Sequence, residues 1–318
     1  MILRDPELSL DALKGKQVGV VGFGAQGEAQ ALNLRDSGIS VKVGLREGSA
    51  SSARAQAFGF QPIGLRELAE SSDVVAMLAP DLTHAEIFDQ IINPFARHES
   101  HIVFAHGYNV HYKVINPRED LGLLLVAPKA IGPQLRRLYE QGKGAAALIS
   151  GEHGDEQIAK AYAAALGSGR AGVILSSFKE ETETDLFGEQ VVLCGGLTEL
   201  ARSAFTTLVE AGYSPYAAYF ECVFEIKLIA DMMFERGIAG MIDIISDTAQ
   251  FGAMTVGGKV IDDHVRDQMK SVLKDIRSGE FHARWSTEQA AQMKRLADWR
   301  KKLRETTLEK TRKELLGE

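Results

Sequence analysis

The chain has 318 residues, 45% of them hydrophobic and 25% charged, with a net charge of −7. This is the composition of a globular protein large enough for one big core or two domains. Lys and Arg are spread along the chain rather than gathered into a basic face, which excludes a nucleic-acid footprint, and no uncharged apolar run reaches the roughly 18 residues of a membrane-spanning helix.

The start, MILRDPELSL, has no basic stretch followed by an apolar one, so no signal peptide is expected. QVGVVG (17–22) reads as a buried strand, and GFGAQGEAQALNLRDSG after it as a helix closed by Gly38. VKVGL (41–45), DVVAMLA (73–79), HIVFAHG (101–107) and LGLLLVAP (121–128) are further strand-like runs, with LRELAESS as an intervening helix. Apolar strands alternating with helices predict a parallel sheet covered on both faces. After about residue 178 the strand-like runs stop, and helical spacing fills 183–212, 214–236, 238–250 and 262–278. Beyond Lys294, Lys and Arg alternate with Glu in the pattern of a solvated helix. The architecture expected is an N-terminal α/β domain over 1–178 and an all-helical domain over 179–318. Cys194 and Cys222 show no metal-ligand spacing and read as buried thiols in a reducing compartment, so a cytoplasmic protein is expected.

Gly22-Phe23-Gly24-Ala25-Gln26-Gly27 matches G-x-G-x-x-G, and it directly follows a strand and opens a helix. That context marks a Rossmann-type dinucleotide site. The first glycine permits the turn, the second admits a pyrophosphate, and the third lets helix and strand pack. At the end of the next strand, where an acid would bind the ribose 2′-OH of NADH, stands Arg46, with Ser49 and Ser51 close behind. A guanidinium with hydroxyls suits the 2′-phosphate of NADPH. Glu47, turned inward, would suit NADH instead.

ETETDLFGEQ (181–190) sets Glu181, Asp185 and Glu189 four apart, and FECVFEIK (220–227) sets Glu221 and Glu225 four apart in an otherwise apolar helix. Like charges at that spacing destabilise a helix. Two such acid pairs meeting in a bundle would be neutralised by two divalent cations, and all-oxygen ligands suit Mg²⁺ or Mn²⁺. The alternative is a pair of solvated faces.

KEETETDLFGEQVVLCGGLTEL (179–200), EAGYSPYAAYFECVFEIKLIAD (210–231), the cofactor loops, FAHGYNVHY, VAPK and LKDIRSGEF (273–281) resemble ketol-acid reductoisomerase in its short, class I form, from about residue 4 to about 285. The resemblance implies NADPH and two Mg²⁺ as cofactors. It implies an alkyl shift in a 2-hydroxy-3-keto acid of the 2-acetolactate type, then reduction to a 2,3-dihydroxy acid, in branched-chain amino-acid biosynthesis. By the same resemblance Asp185 bridges both ions, Glu189 ligates one, and Glu221 and Glu225 form a second cluster with Glu225 nearer the substrate. Ser246 matches a contact to the substrate carboxylate, His106 the active-site histidine, and Lys129 a lysine supporting the metal site. Arg46, Ser49 and Ser51 match the phosphate-binding loop, Asp81, Leu82, Thr83 and His84 a nucleotide-contacting turn, and Gly132 a backbone contact to the cofactor. Such proteins are homodimers or assemblies of dimers with interlocked, knotted helical domains, and the second acid pair would come from the partner chain. Glu181 and Glu183 receive no ligand role and read as surface or hinge charges.

The chain departs from the family pattern at Glu28 and Gln30, where GHAHA is usual, at Ala130–Pro133, and at Asp247–Phe251; the tail after Trp285 shows no match. These departures leave open a paralogue acting on a related hydroxy-keto acid. A second class, the metal-independent β-hydroxyacid dehydrogenases, also joins a Rossmann domain to a helical one, and would centre on a lysine such as Lys227.

Overall fold

The computed structural model describes residues 2–317; within that range the side chain of Asp81 lies outside the described residues. The chain divides into two compact units, Met1–Thr182 and Glu183–Glu318, and the division falls inside one continuous helix.

The first unit is built on a nine-stranded sheet: β1 (Ile2–Leu3), β2 (Gln17–Val21), β3 (Ser40–Leu45), β4 (Ile63–Gly64), β5 (Val74–Met77), β6 (His101–Phe104), β7 (Gly122–Pro128), β8 (Ala147–His153) and β9 (Val173–Leu175), in the order β1-β9-β8-β7-β6-β5-β2-β3-β4. The β4-β3-β2-β5-β6-β7 portion is wholly parallel, as the sequence predicts. Its strands are β-branched and aliphatic runs buried on both faces. Along β5, Val74 and Ala76 join one apolar layer while Val75 and Met77 join the other. The chain leaves β2 toward β3 on one side and returns to β5 on the other, so a crevice opens at the carboxyl ends of β2 and β5.

Sequence reasoning missed four strands. β8 runs antiparallel to β7, β9 is parallel to β8, and β1 closes the edge antiparallel to β9. β8 begins in an alanine-rich stretch, AAALIS, whose composition favours helix, while β1, β4 and β9 are only two or three residues long and too short for a periodicity to register.

The helices used below are α1 (Ala25–Asp36), α2 (Gly132–Glu140), α3 (Glu156–Ala165), α4 (Phe178–Gly188), α5 (Gly196–Glu210), α6 (Pro215–Tyr219), α7 (Ile226–Ile242), α8 (Asp247–Val260), α9 (Asp263–Ser278), α10 (Glu280–Ala290), α11 (Lys294–Arg304) and α12 (Thr307–Leu316). The second unit is all-helical, with the predicted break at Gly237, whose φ is +73°. Two expected continuous helices are interrupted by wide i→i+5 turns, Glu189–Leu193 and Phe220–Phe224. The tail is not one solvated helix. α12 packs Leu308 and Leu315 against Phe205, Ala218 and Tyr219, and the Tyr216 hydroxyl donates to Glu314 at 2.9 Å. The cysteines also differ from expectation, since Cys194 is exposed and Cys222 half-buried. Among the described residues, no helix is long and apolar enough to cross a membrane.

Candidate active site

The glycine loop leaves the end of β2. Gly22 has φ +92°, and its N–H donates to the Gly44 carbonyl at 3.0 Å. A Cβ there would lie 2.9 Å from the Ala79 Cα, and one at Gly27 would lie 2.4 Å from the Gly22 carbonyl oxygen. The first helical bond of α1 is Glu28 N–H to the Gly24 carbonyl, 2.9 Å. The N–H groups before it, at Ala25, Gln26 and Gly27, are those a helix start leaves for an anion.

A cleft of about 220 Å³ lies along this loop, lined by Gly22, Phe23, Gly24, Arg46, Ser49, Ser51 and Thr83 among others. The Phe23 ring is itself buried against Phe58 and Phe60. Ser49 N–H donates to the Arg46 carbonyl at 3.1 Å, and the Ser49 hydroxyl accepts from Ser51 N–H at 3.3 Å, which turns Arg46, Ser49 and Ser51 toward the same cleft. In the next turn Leu82 is exposed and the Thr83 hydroxyl donates to the Pro80 carbonyl at 2.8 Å. His84 points inward: Nε2 meets the Ala79 carbonyl at 2.7 Å and Nδ1 meets the Asn109 amide nitrogen at 3.1 Å. Those partners place the ring proton on Nε2 and make His84 a support for the turn. The start of α2 packs against the glycine loop, where a Cβ at Gly132 would lie 2.0 Å from the Ala25 carbonyl oxygen. Gln26 donates to the Ala130 carbonyl at 2.8 Å and so fastens the 129–132 segment to the glycine loop.

At the carboxyl ends of β6 and β7, on the same edge of the sheet, stand His106 and Lys129. Both converge on Glu181 of α4. Lys129 Nζ lies 2.7 Å from Oε1, while His106 Nδ1 lies 3.3 Å from Oε2, which also accepts the Gly107 N–H at 2.7 Å. Glu181 is 1% exposed. Burial alone would raise its pKa; the His106 hydrogen bond and the charges of His106 and Lys129 outweigh that and hold it below the usual glutamate value. His106 Nδ1 also lies 3.1 Å from the Tyr108 N–H. Protonated, that nitrogen donates to Glu181; neutral, it accepts from Tyr108.

Reading Glu181 as a surface or hinge charge is therefore corrected: it is the buried hub of this cluster. The available signal was its register, because Glu181 sits on the helix face that also carries the buried Phe178, Thr182 and Leu186. Glu183 is also no free surface charge, since it pairs with Arg277 at 3.7 Å.

Asp185 follows Glu181 by one turn of α4, and their carboxylate oxygens lie within 4.8 Å of each other. Glu189 opens the first wide turn, accepting from Cys194 N–H at 2.8 Å through its carbonyl. Glu221 lies in the second wide turn and Glu225 precedes α7, both exposed. Among the described residues, Glu189, Glu221 and Glu225 belong to no convergent group of three or more ligand side chains. A single chain thus does not gather the four expected acids. Ser246 caps α8, its hydroxyl oxygen accepting from Ala249 N–H at 3.3 Å.

Two family models match the sequence: the acetohydroxy acid isomeroreductase NADPH-binding domain over residues 12–172 and the ketol-acid reductoisomerase C-terminal domain over 178–317. The second match includes the tail after Trp285, correcting the expectation that it lies outside the resemblance. The ketol-acid reductoisomerase (NADP(+)) of Sulfolobus acidocaldarius is 44% identical over 99% of this chain and 96% of its own. That of Methanocaldococcus jannaschii is also 44% identical, over the same shares. The solved structure of an NADH-preferring ketol-acid reductoisomerase from an uncultured archean is 39% identical and superposes with a TM-score of 0.97, over 100% of this chain and 98% of its own. The chain belongs to the ketol-acid reductoisomerase family of oxidoreductases.

Proposed function

We propose that this chain isomerises and reduces a 2-hydroxy-3-keto acid of the 2-acetolactate type to a 2,3-dihydroxy acid, using NADPH and two Mg²⁺, in cytoplasmic branched-chain amino-acid biosynthesis. Residues 1–178 are the cofactor domain and 179–318 the metal and substrate domain. The carrying observation is the Lys129–Glu181–His106 cluster, set on the same sheet edge as the glycine-loop cleft.

The residues present fit both cofactors. An added Cβ at Gly24 would meet no atom within 4 Å, so the loop is open where a pyrophosphate would lie, and Arg46, Ser49 and Ser51 offer a cation and hydroxyls for a 2′-phosphate. Thr83 lines the same cleft, and the Asp81–His84 turn that carries it would contact the nucleotide. Asp185 and Glu189 supply hard carboxylate oxygens of the kind Mg²⁺ prefers, and Glu221 and Glu225 complete the set from the partner chain of a homodimer or assembly of dimers. When bound, the ions supply Lewis-acid polarisation of the ketone and the cofactor supplies hydride.

The chain's own groups do the rest. Lys129 and His106 keep Glu181 ionised one helical turn from Asp185, which adds negative potential for a divalent cation. His106 Nδ1, poised between a carboxylate acceptor and an N–H donor, can hold or release a proton at the reacting end. Ser246 spends a lone pair on its cap, leaving its hydroxyl hydrogen to donate to the substrate carboxylate, while Glu225 borders the substrate. The test follows NADPH oxidation with 2-acetolactate. Turnover that requires Mg²⁺ and falls roughly 100-fold or more in Asp185→Asn is expected; turnover that survives EDTA would sink the proposal.

A further inference from the structure

Glu28 stands one residue past the glycine loop, in the first turn of α1. Arg54 lies on the short helix Ser52–Ala57, immediately after the turn that carries Arg46, Ser49 and Ser51. The two side chains meet as an ion pair with one hydrogen bond: Arg54 Nη2 donates to Glu28 Oε1 at 3.0 Å, and Arg54 Nε lies against Oε2, which is buried and accepts no hydrogen bond. Glu28 is only 16% exposed, and Ala55, next to Arg54, is fully buried. A charge-assisted hydrogen bond from a guanidinium to a carboxylate ties the two elements more strongly than a neutral one would.

Backbone bonds carry that anchorage to the phosphate-facing turn. Ala55 N–H donates to the Ser51 carbonyl at 2.9 Å, Ser52 N–H to the Ser49 carbonyl at 3.0 Å, and Ser49 N–H to the Arg46 carbonyl at 3.1 Å. The Glu28–Arg54 pair therefore spans the two walls of the cleft, from the helix that would hold the pyrophosphate to the turn that would hold the ribose end. Neither residue lines the cleft itself.

We propose that Glu28 and Arg54 form a specificity-determining strut, holding the Arg46–Ser51 turn at the spacing that lets it grip a 2′-phosphate. This rests on the NADPH reading above. NADH presents only a ribose hydroxyl to that turn where NADPH presents a phosphate, so its binding depends less on how the turn is held. Loss of either strut residue therefore weakens NADPH more than NADH.

The test measures dissociation constants of NADPH and NADH by calorimetry on the whole protein, without substrate, for wild type, Glu28→Ala, Arg54→Ala and the double variant. Each single variant is expected to lower the NADPH-over-NADH preference roughly three- to fivefold, the size of one partly exposed ion pair. The double variant is expected to be no worse than either single, because one interaction is removed in all three. An unchanged preference overturns the strut. So does tighter NADPH binding in Glu28→Ala, which would make Arg54 a withheld phosphate ligand instead. A wild type that binds NADH as tightly as NADPH overturns the cofactor reading itself, and the strut with it.

Discussion

Glu181 shows how a single side chain can carry a site that sequence pattern assigns elsewhere. Four acids in ten residues look like a solvated face, and a buried carboxylate is costly unless it is paired. Here the pairing comes from strands more than 50 residues distant in the chain, Lys129 being 52 residues away, so no local pattern could announce it. Glu181→Gln keeps the shape and removes the negative charge that faces Lys129 and His106. The expected result is a kcat lower by roughly 10- to 100-fold, as for other residues that orient a ligand from behind, with the NADPH dissociation constant unchanged. Equal losses in both quantities would mean that the glutamate holds the domain together and does not tune the site.

Elements were legible in proportion to how strongly they follow one period. The valine-rich parallel strands and the glycine loop declare themselves. The wide turns do not, because inserting one residue per turn leaves no repeating signal. The first of them leaves a trace in the Gly195-Gly196 pair, where a Cβ on Gly195 would lie 2.0 Å from the Gln190 carbonyl oxygen and one on Gly196 1.9 Å from that of Val191. Gly196→Ala should force the turn open and re-aim Glu189. Weaker Mg²⁺ binding by roughly tenfold is expected in titration calorimetry, against no change if Glu189 plays no part. A second element-level device lies inside the Rossmann layer. The Tyr162 hydroxyl of α3 donates to Gln30 at 2.9 Å, Gln30 donates to Gln26 at 3.0 Å, and Gln26 donates to Ala130. Tyr162 and Gln30 are fully buried, and burial pushes the Tyr162 pKa far up, so the hydroxyl stays a donor. Tyr162→Phe leaves the Gln30 oxygen short of a partner, and a loss of about 1–2 kcal/mol by urea denaturation is expected. Nearby, Asp36 ties α1 to Arg136 of α2 at 2.6 Å. Its carboxyl is pushed up by partial burial but held below the usual aspartate value overall by hydrogen bonds from Arg136 and Arg35. A depressed folded-state pKa contributes stability above the ordinary aspartate value of 3.8 and loses it as pH falls below that. Because both side chains keep some access to solvent, 31% for Asp36 and 19% for Arg136, screening holds the effect to about 1 kcal/mol; Asp36→Asn should flatten the acid limb of the unfolding curve by that amount.

At the scale of the molecule, the helical unit leaves more apolar surface in the open than a solitary domain normally does. Phe234 is 92% exposed, Met254 74%, Ile238 66% and Phe251 64%, and large apolar side chains exposed in this number are the raw material of an interaction surface. The exposed acids Glu221 and Glu225 belong to the same unit and, among the described residues, to no convergent group of ligand side chains. Both facts fit the proposed homodimer, in which a second copy would cover the apolar side chains and receive the acids. Phe234→Asp places a charge at the most exposed of these side chains. The expected outcome is a shift from dimer or larger assembly to monomer in sedimentation velocity. NADPH binding, which depends on the glycine loop and its turn, should be retained, while Mg²⁺-dependent turnover should fall with the monomer fraction and recover as protein concentration rises. A monomeric variant that keeps full turnover would show that one chain supplies all four carboxylates, and the acids of Glu221 and Glu225 would then have to reach Asp185 by a rearrangement of α7 within the same chain.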